Sequence, residues 1–385
     1  MNTKIKDSLK KNHNGRMYYV PTEEQAKRYN YVKRELSNKF NLSMANRDEI
    51  VKSIISIITH GDRLKYKIPE IDLVVYRTDI ENFFPSINKH QLYRKLMNAN
   101  VLSVNSIDII KEIIFSKEIK GIPLGLQFSN HLAELYLEDV DREIKHSLQP
   151  LMYYRYVDDI FLLFYDLAKS EGERIKEKDR LIAELDRILK IRGLKRNQGK
   201  TTVSYFNNST TNKKELSFEF LGYTFKSDNQ NLKIGIADEK VKKIIKGIKV
   251  LFNKYNYGAK SKSDFWKLYY KLKNIIFGVT SYDKKGQRFK YGLGYNYRYI
   301  NSEQGIKEIL ETIKPLIFSC RLSSFQRSTL LNLINYNSVL DIPKKRYNYL
   351  KLSLRQKKLL QKRLGIKKIS YNDSFAKQFF YYLYR

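Results

Sequence analysis

The ten residues RYVDDIFLLF, 155–164, decide how this chain is to be read. The wider run 152–165 is apolar or aromatic except at Arg155, Asp158 and Asp159. Such a run predicts two strands joined by a tight turn, with the aspartates at or beside that turn. A carboxylate left unpaired in so apolar a setting costs several kcal/mol even after relaxation. Something must offset that cost.

A third carboxylate points to what does. The segment IDLVVYRTD, 71–79, is rich in β-formers and leads into a helix near Pro85, so Asp79 stands at a strand end. Phosphoryl transfer by two divalent cations about 3.5–4 Å apart needs bridging carboxylates from separate elements. Asp79 and Asp158 meet that need if their strands are neighbours. Taken alone, the same residues serve equally well as a helix N-cap at Asp79 and as solvated turn residues at Asp158 and Asp159.

Composition narrows the choice. Cys320 is the only cysteine, and His13, His60, His90, His131 and His146 are scattered, so no thiolate or imidazole cluster offers a zinc site. A metal here is held by oxygen, which favours magnesium or manganese. Residues 71–165 carry 10 basic and 13 acidic side chains, whereas residues 231–385 carry 34 and 9 of a formal net charge of +33. An acidic-leaning centre between basic flanks suits a polyanion lying over bound cations. The 30 tyrosines and 20 phenylalanines interleave with Lys and Arg at 288–301, 344–358 and 377–385, a pattern suited to stacking on bases. No apolar run approaches the roughly 18 residues of a membrane span. MNTKIKDSLKKNHNGR at the amino terminus has no apolar core of a secretion signal, so a cytoplasmic protein with no membrane partner is expected.

Three regions follow from charge and periodicity. Residues 1–70 read mostly as helix, with clear helical spacing at 22–36 and 47–60. Residues 71–230 read as mixed α/β: a loop at 121–125, helices at 129–148 and about 171–191, and strands around 201–206 and 217–225. Residues 231–385 read as basic and mostly helical, with a β-like insert near 286–300.

Five stretches in order resemble the reverse transcriptases. RTDIENFFPSI (77–87), GIPLGLQFSNHLAELYL (121–137), YVDD (156–159) and GLKRNQGKT (193–201) resemble their first four palm motifs, and FEFLGYTF (218–225) their primer-grip hairpin. The resemblance implies an RNA-directed DNA polymerase built as an α/β right hand. Residues 1–70 would belong to the fingers, 71–230 to an antiparallel-sheet palm with further fingers elements, and 231–385 to a helical thumb or extension.

It implies two Mg²⁺ ions, with Mn²⁺ as a substitute, held by Asp79, Asp158 and the main-chain carbonyl of Ile80, with Asp159 completing the acidic centre. Phe84 falls where the family places an aromatic gate that rejects ribonucleotides by clash with the 2′-hydroxyl. Pro123 and Gly125 would shape the loop beside nucleotide and template. Leu124 stands where many members have Gln, and Gln127 is the candidate substitute. Lys200 would protonate or neutralise the departing pyrophosphate, and Gly222 would let the hairpin approach the primer end. For the basic residues that clasp the triphosphate, Arg63, Lys65, Lys67 and Arg77 are candidates. GLKRNQGKT is no P-loop, because five residues separate its glycines and the order is helix, loop, strand.

The form S-x-x-L-A-E-x-x-L-x-x-V-D at 129–141 resembles the abortive-infection and unknown-group enzymes of bacterial phage defence. With the chain's size it suggests the smaller enzyme of a system with two reverse transcriptases and a noncoding RNA. The implied partners are an RNA template or noncoding RNA, a DNA product, dNTPs, and a second reverse transcriptase or another copy of the chain. The alternatives are a polymerase-derived RNA-binding scaffold and an untemplated terminal nucleotidyltransferase.

Overall fold

A computed structural model of the chain describes residues 5, 8–13, 15–207, 214–283, 286–366 and 374–384. Packing divides the chain into two units, residues 1–63 with 68–218, and residues 64–67 with 219–385. The boundaries near 70 and 230 follow charge and periodicity, while these units follow contacts. The N-terminal helices therefore share a unit with the strands that begin after residue 71.

The first unit opens with an antiparallel hairpin, β1 (Leu9–His13) and β2 (Arg16–Val20), where a mostly helical region is expected from sequence. It escapes a reading by periodicity because β1 is wholly exposed and so carries no apolar alternation. The local signal is the Asn14-Gly15 dipeptide, a strong hairpin turn, and Gly15 has φ +77°. Helix α1 (Glu23–Lys39) begins at a capping box between Thr22 and Gln25. Next come α2 (Arg47–Ile58), β3 (Leu73–Asp79), a single turn α3 (Phe83–Ser86), α4 (Lys89–Ala99), α5 (Val104–Ile114) and α6 (Ser129–Leu148). The unit continues with β4 (Met152–Tyr156), β5 (Asp159–Tyr165), α7 (Glu171–Ile191) and β6 (Thr202–Phe206).

These strands form one antiparallel sheet in the order β4-β5-β3-β6. Tyr76, Ile160 and Leu162 point from it into a core shared with Leu132 and Tyr136 of α6 and Leu181 and Leu185 of α7. Burying each such side chain stabilises the layer by about 1.5–3 kcal/mol. Because strand side chains alternate, the intervening set, Arg77, Asp79 and Asp159, takes the opposite face. Leu73, Val75, Phe161 and Leu163 share that second face and are buried too, so the acids lie at the end of a strand pair that is apolar on both faces.

The chain passes to the second unit within β7 (Ser217–Phe220), which with β8 (Tyr223–Asp228) and β9 (Asn231–Ile236) forms a three-stranded sheet. Tyr66 joins it by accepting a bond from the Leu232 N–H at 2.8 Å. Helices α8 (Asp238–Asn256) and α9 (Lys262–Ile276) follow, then β10 (Gly278–Tyr282), β11 (Arg288–Tyr291), the turn α10 (Leu293–Asn296), α11 (Gln304–Ser319) and α12 (Ser324–Ile334). The β-like insert is therefore one strand and one helical turn. Strand β12 (Arg346–Asn348) pairs with β10, and α13 (Leu354–Leu364) and α14 (Phe375–Tyr384) pack beside α9. Arg385 lies outside the described residues. Aromatic packing dominates here: Tyr349 sits 4.6 Å from Phe379 between ring centroids, and its hydroxyl donates to Asn274 Oδ1 at 2.9 Å. No helix among the described residues is long and apolar enough to cross a membrane.

Candidate active site

Asp79 ends β3 directly opposite Asp159, the first residue of β5, and the Ile80 N–H donates to the Asp158 carbonyl at 3.1 Å. Pairing thus brings together three carboxylates that lie up to 80 positions apart in sequence. Asp79 caps no helix, since Asn82 precedes α3. It is only 5% exposed, with Oδ2 receiving a hydrogen bond from Lys200 Nζ at 2.5 Å and Oδ1 buried without a partner. Burial pushes the Asp159 carboxyl up to about 6, helped by the charges of Asp158 and Asp79. Burial also raises Asp158, with Asp79 adding to it, while Arg16 and Lys200 act in the other direction. Crowded acids that resist ionisation are a site waiting for positive charge.

Among the described residues, no three His, Cys, Asp or Glu side chains are already arranged around a point where an ion would sit. Lys200 supplies the positive charge instead, through its bond to Asp79. The residues nevertheless fit divalent cations: the donors are hard oxygens, and the Asp79 Oδ1 atom has no bond to lose.

A cavity of about 740 Å³ opens beside these acids. Asp79, Ile80, Asp158, Lys200, Phe84 and Pro123 line it. Phe84 is 9% exposed and held from behind, for its carbonyl accepts the Ile122 N–H at 2.9 Å. Gly121 makes that approach feasible, since a Cβ there would lie 2.0 Å from the Phe84 carbonyl oxygen. Lys89 braces the adjoining wall by donating to the carbonyls of Ile113, Ser116 and Ile119 at 3.1, 2.6 and 2.8 Å.

Other predicted residues fall elsewhere. Gln127 lines a separate cavity of about 220 Å³ with His131, Glu134, Tyr156 and Val157, whereas Leu124 lines the larger one. Gly125 has φ +100°, and a Cβ there would lie 2.2 Å from the Tyr19 carbonyl oxygen. Its small size admits the backbone of β2, which pairs with the loop through the Tyr19 N–H and the Leu124 carbonyl at 2.8 Å. Gly222 belongs to the second unit, at a hairpin turn where Leu221 and Gly222 both have positive φ.

Of the proposed phosphate-clasping residues, Lys65 and Lys67 belong to the second unit, and neither Arg63 nor Arg77 lines the cavity. Lys10 and Arg16 do, carried there by the β1–β2 hairpin. A helical reading of residues 1–70 gives them no such position.

The turn itself is unusual. Val157 has φ +61°, a left-handed conformation that a β-branched residue adopts at a cost of about 1–3 kcal/mol. A slightly larger cavity of about 770 Å³ lies against the other face of the sheet, at Val74, Tyr76, Phe164 and Val203, and holds none of the candidate residues.

The sequence profile of the family described as reverse transcriptase (RNA-dependent DNA polymerase) matches residues 29–225. The chain belongs to the reverse transcriptase family. The matched stretch contains every carboxylate and loop of the site just described, but not the β1–β2 hairpin. Among solved structures, the chain is similar to telomerase from Candida albicans in complex with a fragment of telomeric RNA, at 12% identity and a TM-score of 0.42. That match covers 81% of this chain and 57% of the telomerase chain. Telomerase from Candida tropicalis, also with a telomeric RNA fragment, matches at 14% identity and a TM-score of 0.42, over 86% of this chain and 64% of that one. The chain thus spans about three fifths of the length of these telomerases. No curated protein matches it in sequence.

Proposed function

We propose that this reverse transcriptase copies RNA into DNA from dNTPs by magnesium-dependent phosphoryl transfer, in the service of bacterial antiphage defence with a noncoding RNA. The observation that carries the chemistry is the presence of Asp79 and Asp158 in the wall of a cavity also lined by Lys10 and Arg16, with Asp159 paired directly opposite Asp79 in the sheet.

Asp79, Asp158 and the Ile80 carbonyl would hold two divalent ions, with Asp159 raising the negative charge of the centre. Bound there, such ions activate the attacking hydroxyl and stabilise the departing oxygen. The remaining work falls to the chain's own groups. Lys10 and Arg16 neutralise the triphosphate, and Phe84 closes the space under the sugar against a 2′-hydroxyl. Lys200 is paired with Asp79, and in the reaction its ammonium group would serve the departing pyrophosphate. The defence role is supported by the form of residues 129–141, as is the reading of the chain as the smaller of two cooperating enzymes in the cytoplasm.

The test is incorporation of dNTPs by the purified chain on a defined RNA template with a primer, followed by sequencing of the product. Complementary DNA made with Mg²⁺, and lost in the double variant Asp158→Ala/Asp159→Ala with the fold intact, is expected. Product unrelated to the template would replace copying with terminal addition. Full activity in the double variant would refute the site.

A further inference from the structure

We infer that Arg155 is a positioning residue of the acidic centre: by holding the Val157 carbonyl it sets where Asp158 and Asp159 stand. The inference rests on reading those aspartates as metal ligands.

The Arg155 side chain is only 6% exposed and makes five hydrogen bonds. Its Nη1 donates to the Val157 carbonyl at 2.8 Å and to Glu134 Oε1 at 3.1 Å. Its Nη2 donates to Glu134 Oε2 at 2.6 Å and to Asp141 Oδ2 at 2.7 Å, and its Nε to Asp141 Oδ1 at 2.7 Å. That equals the full donor capacity of a guanidinium. Glu134 and Asp141 lie seven residues apart, two turns of α6, and so share one face of the helix. The Tyr153 hydroxyl adds a bond to Asp141 Oδ1 at 2.5 Å.

Two tasks are combined in this network. The four bonds to carboxylates fasten α6 to β4. The fifth does something different, because Val157 is the residue just before Asp158 and the one whose backbone is strained, at φ +61°. A strained residue persists only where its surroundings over-determine it. Here the Arg155 bond fixes Val157 from one side, and the bond from the Ile80 N–H fixes the Asp158 carbonyl from the other. The five hydrogen bonds of Arg155 go to Glu134, Asp141 and Val157, so it acts on Asp158 and Asp159 through the turn.

Lysine at 155 keeps the charge between Glu134 and Asp141, yet three donors on one nitrogen cannot span two carboxylates and a carbonyl. The test is Mn²⁺ binding to the full chain, followed by electron paramagnetic resonance without nucleotide, in wild type, Asp158→Ala, Arg155→Lys and Arg155→Lys/Val157→Gly. Thermal unfolding and circular dichroism are recorded in parallel.

Wild type should bind, and Asp158→Ala should not. Arg155→Lys should weaken binding about 10–100-fold while still unfolding cooperatively. Adding Val157→Gly should recover part of that loss, because glycine takes the left-handed conformation without a tether. If Arg155→Lys does not fold, Glu134→Gln replaces it and must also weaken binding. Mn²⁺ binding unaffected by Asp158→Ala would refute the metal reading itself. Binding lost in Asp158→Ala but equal to wild type in the folded Arg155 or Glu134 variant would overturn the positioning role. Failure of Val157→Gly to recover any binding would assign the loss to a loosened α6 and overturn it as well.

Discussion

Both units hold cations against carboxylates and against rings, but their closest contacts of these kinds differ. In the first, Arg155 is enclosed by Glu134 and Asp141, Arg174 meets Asp166 at 2.7 Å, and Arg196 meets Asp186 at 2.9 Å. In the second, cations sit over rings: Lys273 lies 3.5 Å from the Tyr347 centroid, Arg363 lies 3.7 Å from Trp266, and Lys345 lies 4.3 Å from Tyr336. Burial pushes Lys273 down to about 8, with the Arg363 charge adding to the effect. A carboxylate cancels the charge of its partner, whereas a ring lowers the cost of holding the charge and leaves it uncancelled. The first unit pairs these arginines with carboxylates and keeps three crowded acids with Lys200 as their hydrogen-bonded cation, whereas the cations named in the second keep their charge uncancelled. On the proposed function, the first would hold metal ions and the second would lie along nucleic acid.

Salt is the strongest probe of that contrast. If six to ten phosphates are engaged, affinity for single-stranded RNA should fall about 300- to 16,000-fold between 50 and 200 mM salt. Lys345→Ala should make the slope shallower by about one ion. Filter binding across a salt series checks both, and a flat profile would break the contrast. Dividing the two functions comes next in size. Asp158→Ala/Asp159→Ala should lower dNTP incorporation at least about 100-fold while leaving RNA affinity within a factor of about two. A parallel fall in both would tie the acids to RNA retention.

Phe84→Ala should relax discrimination between dNTPs and ribonucleotides by about 10–100-fold, read from competing incorporation. The smallest effect expected is on stability. The Asp159 carboxyl is held at about 6 in the folded chain against 3.8 in a free side chain. Between those values the unfolded chain ionises first, so the metal-free fold loses stability as pH rises from about 4 to about 6. Asp159→Asn should therefore stabilise the metal-free protein at pH 7 by about 1–2 kcal/mol, with the gain vanishing below about pH 4. Denaturant unfolding at the two pH values measures it.

Much of the fold was legible because burial writes itself into local pattern. The apolar and aromatic run at 152–165, interrupted by the two aspartates, marks two strands and their turn, and LVVYRTD marks the strand that ends at Asp79. What pattern cannot give is pairing. That β3 lies between β5 and β6, and so sets Asp79 opposite Asp159, joins residues 80 positions apart. The partners of Arg155 lie 14 and 21 residues upstream on a helix that reads simply as amphipathic. Exposed β1 gives no hydrophobic signal at all, and with it Lys10 and Arg16 stayed hidden despite the Asn-Gly turn. The close approach of the Tyr19 backbone to Gly125 is another contact that local pattern does not show.

The most direct measurement is anomalous scattering from a crystal of the chain grown with Mn²⁺ and a dNTP. Two peaks about 3.5–4 Å apart, within coordination distance of Asp79 and Asp158, are predicted. Peaks elsewhere, or none while the nucleotide occupies the cavity and Lys200 stays on Asp79, would contradict it.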